Sequence, residues 1–203
     1  ANGELDLFGR YPNTMKNPLI LKNVKVSLFD GELTVPQLTF PQSKMATLSF
    51  TNIDLAQVLA LAQYNQVTLT GRANAVMPFW LGHKECLICN GTLEQVGNVS
   101  IKLTDEMVKG LKKGGWTENI LVDLLKEMEL QNSHAAVTLD PKGQMTLRAS
   151  ISGFNPTKRT NNPITLNYTH QENMFELWNM IDYGSQFEQN LQYKLYKQLD
   201  KDK

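Results

Sequence analysis

Apolar residues recur at every second position in one stretch after another of this 203-residue chain, and turn residues stand between the stretches. Side chains alternate across a β-strand, so this period gives each strand one apolar and one polar face. Val24, Val26 and Leu28 alternate with Lys25 and Ser27, Asp30-Gly31 supplies a tight turn, and Leu33 and Val35 resume the pattern. The result is a hairpin whose second strand is bulged or lies at an edge at Pro36, which has no N–H to give to a ladder. Leu48 sits in a further stretch between Ala46 and Phe50, and Val67 and Leu69 open another that runs through Gly71, Ala73 and Ala75. After a loop at 77–85 come Leu87, Cys89, Gly91 and Leu93, then Val99, Ile101 and Leu103. Ala135, Val137 and Leu139 are joined to Met145, Leu147, Ala149 and Ile151 by Asp140-Pro141-Lys142-Gly143, a sequence with turn chemistry. Strands joined mostly by hairpins form an antiparallel sheet, and here the sheet has one dry face.

The period changes within residues 161–178. Ile164, Leu166 and Tyr168 alternate with Thr165, Asn167 and Thr169, and from there Met174, Leu177, Trp178 and Ile181 fall at helical spacing. Thr169 with Glu172 has the form of a capping box, so the strand is expected to end at Thr169 and feed a helix that covers the sheet. Phe187, Leu191, Leu195 and Leu199 continue a narrower helical stripe. Three more helices are expected: a short one at 54–64 capped from Thr51, Asn52 or Asp54, a weak one at 105–113, and a stronger one at 118–132 capped by Thr117. The fold class is therefore mainly β with helices (α+β). A single unit over residues 1–203, with a terminal helical segment at about 170–199, accounts for the whole pattern.

Lys and Arg number 20 and Asp and Glu number 20, so no net field draws the protein to nucleic acid, and none is expected as a partner. No run approaches the roughly 18 apolar residues of a membrane-spanning helix. The opening ANGELDLFGRYPN has neither the basic nor the apolar region of a signal peptide, and reads as the start of a mature or excised piece.

His83, Cys86 and Cys89 form H-x-x-C-x-x-C, without the second ligand pair that a structural zinc site takes, so no metal site is expected. On a regular strand positions 86 and 89 point to opposite faces. The chain must bend there to close a small-loop disulfide, or else the two are free thiols with at least one in the core. Redox chemistry would need a helix N-terminus to lower the thiolate pKa, and this pair lies among strand residues. G-x-S-x-G, H-E-x-x-H, P-loop and G-x-G-x-x-G motifs are all lacking. Asp105, Glu106, Glu127 and Glu129 read as helix-end or solvated-face charges, and His170 and Glu172 as capping and helix-dipole residues. The chain is not expected to be an enzyme or to hold a cofactor.

Three stretches carry a resemblance: FTNIDLAQVLALAQYNQVTLTGRANAVMPFWL, AAVTLDPKGQMTLRASISGFNP and, most specifically, PITLNYTHQENMFELW. In these the sequence resembles the C-terminal part of the YdbH branch of the AsmA-like proteins, over roughly residues 49–182. The motif residues are Asn167, Tyr168, His170, Glu172 and Asn173. The resemblance implies a curved, taco-like antiparallel sheet whose concave face is apolar and holds phospholipid acyl chains, within a bridge across the periplasm between inner and outer membranes. It implies an inner-membrane anchor outside this piece, a location near the outer membrane, and docking of a small YnbE-like outer-membrane lipoprotein by β-strand addition at an open edge. The residues expected to face lipid are Val24, Val26, Leu28, Leu48, Val67, Leu69, Leu93, Val99, Ile101, Val137, Leu147, Ile151, Ile164 and Leu166. The alternative is a closed lid or interaction module, its face sealed by its own helices, that binds a partner by strand addition without conducting lipid.

Overall fold

The computed structural model describes residues 3–9, 14–61, 67–106, 108–109, 126–157 and 163–176. Among the described residues, ten strands and one short helix follow in chain order: β1 (Gly3–Phe8), β2 (Leu19–Leu28), β3 (Gly31–Phe40), β4 (Ala46–Asp54), α1 (Leu55–Leu61), β5 (Val67–Phe79), β6 (Ile88–Leu103), β7 (Glu127–Leu130), β8 (His134–Leu139), β9 (Gln144–Phe154) and β10 (Ile164–Asn173). All ten belong to one curved antiparallel sheet. Neighbours in sequence are neighbours in space except around the long β6, which pairs with β7 along one half and β8 along the other; β9 closes over both. β1 and β10 are the two outer strands.

A polar knot fills the junction where β7 gives way to β8. Gln95 donates through Nε2 to the carbonyls of Gly97 (3.0 Å) and Leu130 (3.1 Å) and accepts from the Ser133 amide (2.8 Å). The Ser133 hydroxyl donates to the Ser152 carbonyl at 3.1 Å and accepts from its amide at 3.0 Å. Backbone groups that the break in the ladder would orphan are satisfied there.

The register departs from the expected hairpins in ways that have local causes. The first turn is Phe29–Asp30, not Asp30-Gly31: both central residues have positive φ (49° and 55°), as a two-residue type I′ connection requires. Gly31 instead serves a close approach, since a Cβ there would stand 2.5 Å from the Thr51 carbonyl. Arg72 pins the same corner, pairing with the Asp30 carboxylate and donating to the carbonyls of Asp30 and Asn52 at 2.8 Å each. Pro36 lies in an inner strand, but where the β4 side of that strand is unpaired, so the expected edge is a local one. The β3–β4 pairing is confined to Glu32–Thr34, short of the proline, and opposite it Asn23 takes a left-handed conformation (φ 53°). Shifts in the β1–β2, β4–β5, β5–β6 and β6–β8 ladders add local bends, which suits a curved sheet.

Four further expectations are corrected. β5 continues to Phe79, three residues into the expected 77–85 loop, and the two strands expected at 87–93 and 98–103 are one strand, β6, bent at Asn90 (φ 56°) and Gly97 (φ 64°). Residues 127–130, placed in the helix expected at 118–132, are strand β7; most of the rest of that segment lies outside the described residues. β10 does not end at Thr169 but runs to Asn173, each residue from Ile164 to Asn173 paired with β9. The Thr169–Glu172 capping box is thus inside a strand. Asn173 caps the turn that follows, its Oδ1 accepting from the amides of Phe175 (3.0 Å) and Glu176 (3.1 Å). The helix expected beyond residue 176 lies outside the described residues. α1 forms where a helix was expected, with the Asp54 carboxylate accepting from the Gln57 amide at 3.1 Å.

Candidate apolar binding face

Directly paired residues of an antiparallel ladder share a face, so the register alone sorts the side chains. One row runs Val26–Leu33–Phe50–Ala75–Leu93–Ala135–Ala149–Tyr168, from β2 to β10. The next row, one residue along every strand, runs Lys25–Thr34–Ser49–Val76–Thr92–Ala136–Arg148–Thr169. The first is apolar until its last member and the second is mostly polar. The sequence's period of two is therefore kept in phase across eight strands.

All fourteen residues expected to meet lipid fall on the face of the first row. Val24 and Leu28 flank Val26 on β2, and Leu48 stands beside Phe50 and pairs with Met77. Val137 pairs with Leu147, Ile151 with Leu166, and Ile164 with Gly153, which in turn pairs with Leu130 opposite Val99. Met128, Ile101 and Leu69 make a further rung, and Val67 follows Leu69 on β5. Leu33, Val35, Phe50, Ala75, Met77, Ala135 and Ala149 belong to the same face, although they were not among the fourteen; the same alternation marks them.

This face has two parts. At the β7 end it packs into a core: Val99 (2 % exposed), Met128 (1 %) and Leu130 (9 %) are buried, and Leu55 of α1 packs on them with Leu69, Ile101 and Ile151. Gly153 makes room for this, since a Cβ there would collide with the Glu129 carbonyl and the Met128 methyl. Four of the fourteen thus sit against protein. Of the other ten, Val137 is buried at 8 % exposure, and Val24, Val26, Leu28, Leu48, Val67, Leu93, Leu147, Ile164 and Leu166 are half-buried. The only substantial packing onto the sheet from another layer, among the described residues, is α1 on β4 and β5. A continuous apolar surface that is neither packed away nor free of neighbours is suited to holding a flexible apolar ligand.

The other features of the sheet offer less. A shallow hollow of about 460 Å³ over β6, β8, β9 and β10 is lined by the rungs Thr92–Ala136–Arg148–Thr169 and Glu94–His134–Ser150–Asn167 and by Leu93, Ala135, Ala149 and Tyr168 of the row between them. Cys86, in the bend before β6, is joined to Cys89 at the start of β6 as a disulfide with Cα atoms 5.4 Å apart. His83 Nδ1 accepts from the Cys86 amide at 3.3 Å and lies 3.4 Å from its sulfur. Asp105 pairs with Lys126 at 3.1 Å, and Glu127 and Glu129 alternate with the core-facing Met128 and Leu130 on β7, as solvated-face charges do. Tyr168, His170 and Glu172 stand on the apolar face of β10, whereas Asn167 points to the other. No helix among the described residues is long and apolar enough to cross a membrane, which says nothing of membrane-spanning strands.

A family model described as "YdbH-like: Intermembrane phospholipid transport protein YdbH" matches residues 1–196. The "Probable phospholipid transport protein YdbH" of Escherichia coli K12 is 29 % identical over 179 residues, which are 88 % of this chain and 20 % of that protein. The chain therefore spans about a fifth of the length of this relative. No solved structure matches it.

Proposed function

Since the chain belongs to the YdbH-like family of intermembrane phospholipid transport proteins, we propose that its apolar face is the C-terminal stretch of a groove along which phospholipid acyl chains slide between the inner and outer membranes. The observation that carries this is the unbroken in-phase row from Val26 to Ala149, left half-open beyond α1. Each acyl CH₂ laid against such a face and removed from water contributes about 0.8 kcal/mol, without preference for one rung over the next. Strong but undirected attraction favours sliding over capture, and no step of covalent chemistry is called for. The concave side of the curved sheet is then the apolar one, and residues 1–203 act as one groove unit in the periplasm near the outer membrane, with the inner-membrane anchor elsewhere in the full-length protein.

The outer edge of β10 suits strand addition by a small outer-membrane lipoprotein. β10 keeps one register with β9 over ten consecutive pairs, whereas β1 is shorter and its ladder is shifted between Glu4 and Asp6. A long regular strand presents evenly spaced N–H and C=O groups, which a bulged one does not. The packed core under α1 favours a lid-like role for that end alone, where protein side chains occupy the face.

The test places photocrosslinking amino acids in the full-length protein in cells at Leu48 and Leu147 on the apolar face, and at their chain neighbours Thr47 and Arg148 on the polar one. Phospholipid adducts at the first pair alone are expected. Adducts at neither pair, or equally at both, refute the groove.

A further inference from the structure

Along β10 the apolar face changes character within one strand. Ile164 and Leu166 are followed at the same two-residue spacing by Tyr168, His170 and Glu172, while their partners on β9 remain Gly153, Ile151, Ala149, Leu147 and Met145. Three polar side chains therefore stand in a line on the apolar side of the sheet, on its last strand, each beside an apolar or small neighbour.

The three are connected. The Tyr168 hydroxyl is hydrogen-bonded to His170 Nδ1 at 3.2 Å with the rings stacked at 6.1 Å, and His170 Nε2 lies 3.6 Å from Glu172 Oε2. Glu172 Oε1 has no partner among the described residues. The His170 and Glu172 side chains are 40 % and 42 % accessible, and Tyr168 is 50 % exposed. The Tyr168–His170 bond uses one of the pair's donors, so the ladder offers the remaining O–H or N–H donor at one end and a carboxylate acceptor at the other, in reach of solvent and next to hydrocarbon.

We infer that Tyr168, His170 and Glu172 form a headgroup site for a zwitterionic phospholipid at the β10 end of the groove. The phosphate meets Tyr168 and His170, the ammonium meets Glu172, and the acyl chains lie back along Leu147, Met145 and the rows behind them. The inference rests on the groove reading, because the tails must lie on the apolar face for the head to fall at β10. It adds a selection that the groove lacks: an acyl-binding face treats every diacyl lipid alike, whereas a carboxylate beside a phosphate donor favours a cationic amine over a neutral polyol.

The test loads full-length protein from vesicles of matched acyl composition containing equal amounts of phosphatidylethanolamine and phosphatidylglycerol, with a photocrosslinker at Leu147 to sample lipid beside this strand. The crosslinked ethanolamine-to-glycerol ratio is expected to be roughly two- to fivefold in the wild type, about what one half-exposed ion pair is worth. It should fall to near one in Glu172→Gln with the total adduct unchanged, and Tyr168→Phe should lower the yield of both lipids together. Adducts in the wild type with no headgroup preference, or a preference that survives Glu172→Gln, overturn the headgroup site and leave the groove standing. No adduct with either lipid overturns the groove and the site with it. A further arm adds excess soluble phosphoethanolamine: an unchanged ratio is expected of a site that reads the head only when the tails are seated. Abolition of the preference would show a site for the free phosphate ester and overturn the lipid assignment.

Discussion

The sharpest consequence of the in-phase register is that adjacent residues should differ completely in their effect on lipid. Leu93 and Thr92 are neighbours on β6; Leu93 stands in the apolar row between Ala75 and Ala135, Thr92 in the polar row between Val76 and Ala136. Between Phe50 and Tyr168, Leu93 is the one large side chain of its row. Strands lie about 4.8 Å apart, so the row from Val26 to Tyr168, with seven spacings, is roughly 34 Å long. An acyl chain spans half of a bilayer's hydrocarbon core of about 30 Å, or roughly 15 Å, and so lies over about three strands at a time. Every chain passing along this row must cross Leu93.

In Leu93→Glu an ionised carboxylate replaces that contact. A carboxylate facing hydrocarbon costs about 2.5–3.5 kcal/mol on the helix-insertion scale, and about 2–3 kcal/mol is a fair figure for a half-open site. At tenfold per 1.4 kcal/mol, acyl occupancy over β6 should drop about 30- to 150-fold. Thr92→Glu introduces the same group one residue away on the exposed polar side, where substitutions generally change stability by less than about 0.5 kcal/mol. The assay is phospholipid crosslinking to a photoreactive residue at Leu147 in the full-length protein, with urea unfolding to establish that both variants fold. Equal losses in the two variants, or an undiminished signal in Leu93→Glu, would refute the assignment of faces.

Met128→Ala, at the centre of the buried cluster, should lower unfolding free energy by about 2–5 kcal/mol in urea titrations, as truncation of a buried Met generally does. Gly31→Val should lower the melting temperature by a clear margin and more than Gly82→Ala, because a side chain at 31 meets the backbone of Thr51 and Asn52, whereas one at 82 meets nothing within 4 Å and bears only the strain of its left-handed backbone (φ 81°). The double variant Cys86→Ser/Cys89→Ser should cost about 2 kcal/mol or less, the loop-entropy figure for so short a closure, and the unmodified protein should show no alkylatable thiol without reductant.

Strand positions were legible wherever a period of two ran for several residues between turn signals, and the fourteen residues drawn from it share one face for that reason. The errors came where two periods coincide or where tertiary pairing outvotes a local signal. In ENILVDLLKEMELQN, Leu124, Leu125 and Met128 fit a helical stripe, but Met128 and Leu130 also fit a strand, and pairing of β7 with Ile101 and Val99 decides for the strand. Thr169 and Glu172 have the spacing of a capping box, yet unbroken pairing with β9 carries the strand past them to Asn173. The ladder pairs from His170 to Asn173 are gained without forfeiting a cap, worth about 1 kcal/mol, because Asn173 supplies it instead. Nothing in local sequence announced that α1 would close only one end of the face, since that depends on which strands β6 reaches on each side.

That partial closure bears on how such a face could conduct. A uniformly covered sheet would be a core, and a uniformly bare one would expose enough hydrocarbon to aggregate. Here Val99, Met128 and Leu130 are sealed under Leu55, while the Val26-to-Ala149 row beside them stays half-open. The sealed part supplies packing energy, so the open part need not be filled to hold the sheet together. A surface relieved of that structural duty can exchange its contacts with a passing acyl chain at little cost to the fold, and this division of the apolar residues between packing and binding is what a sliding groove requires.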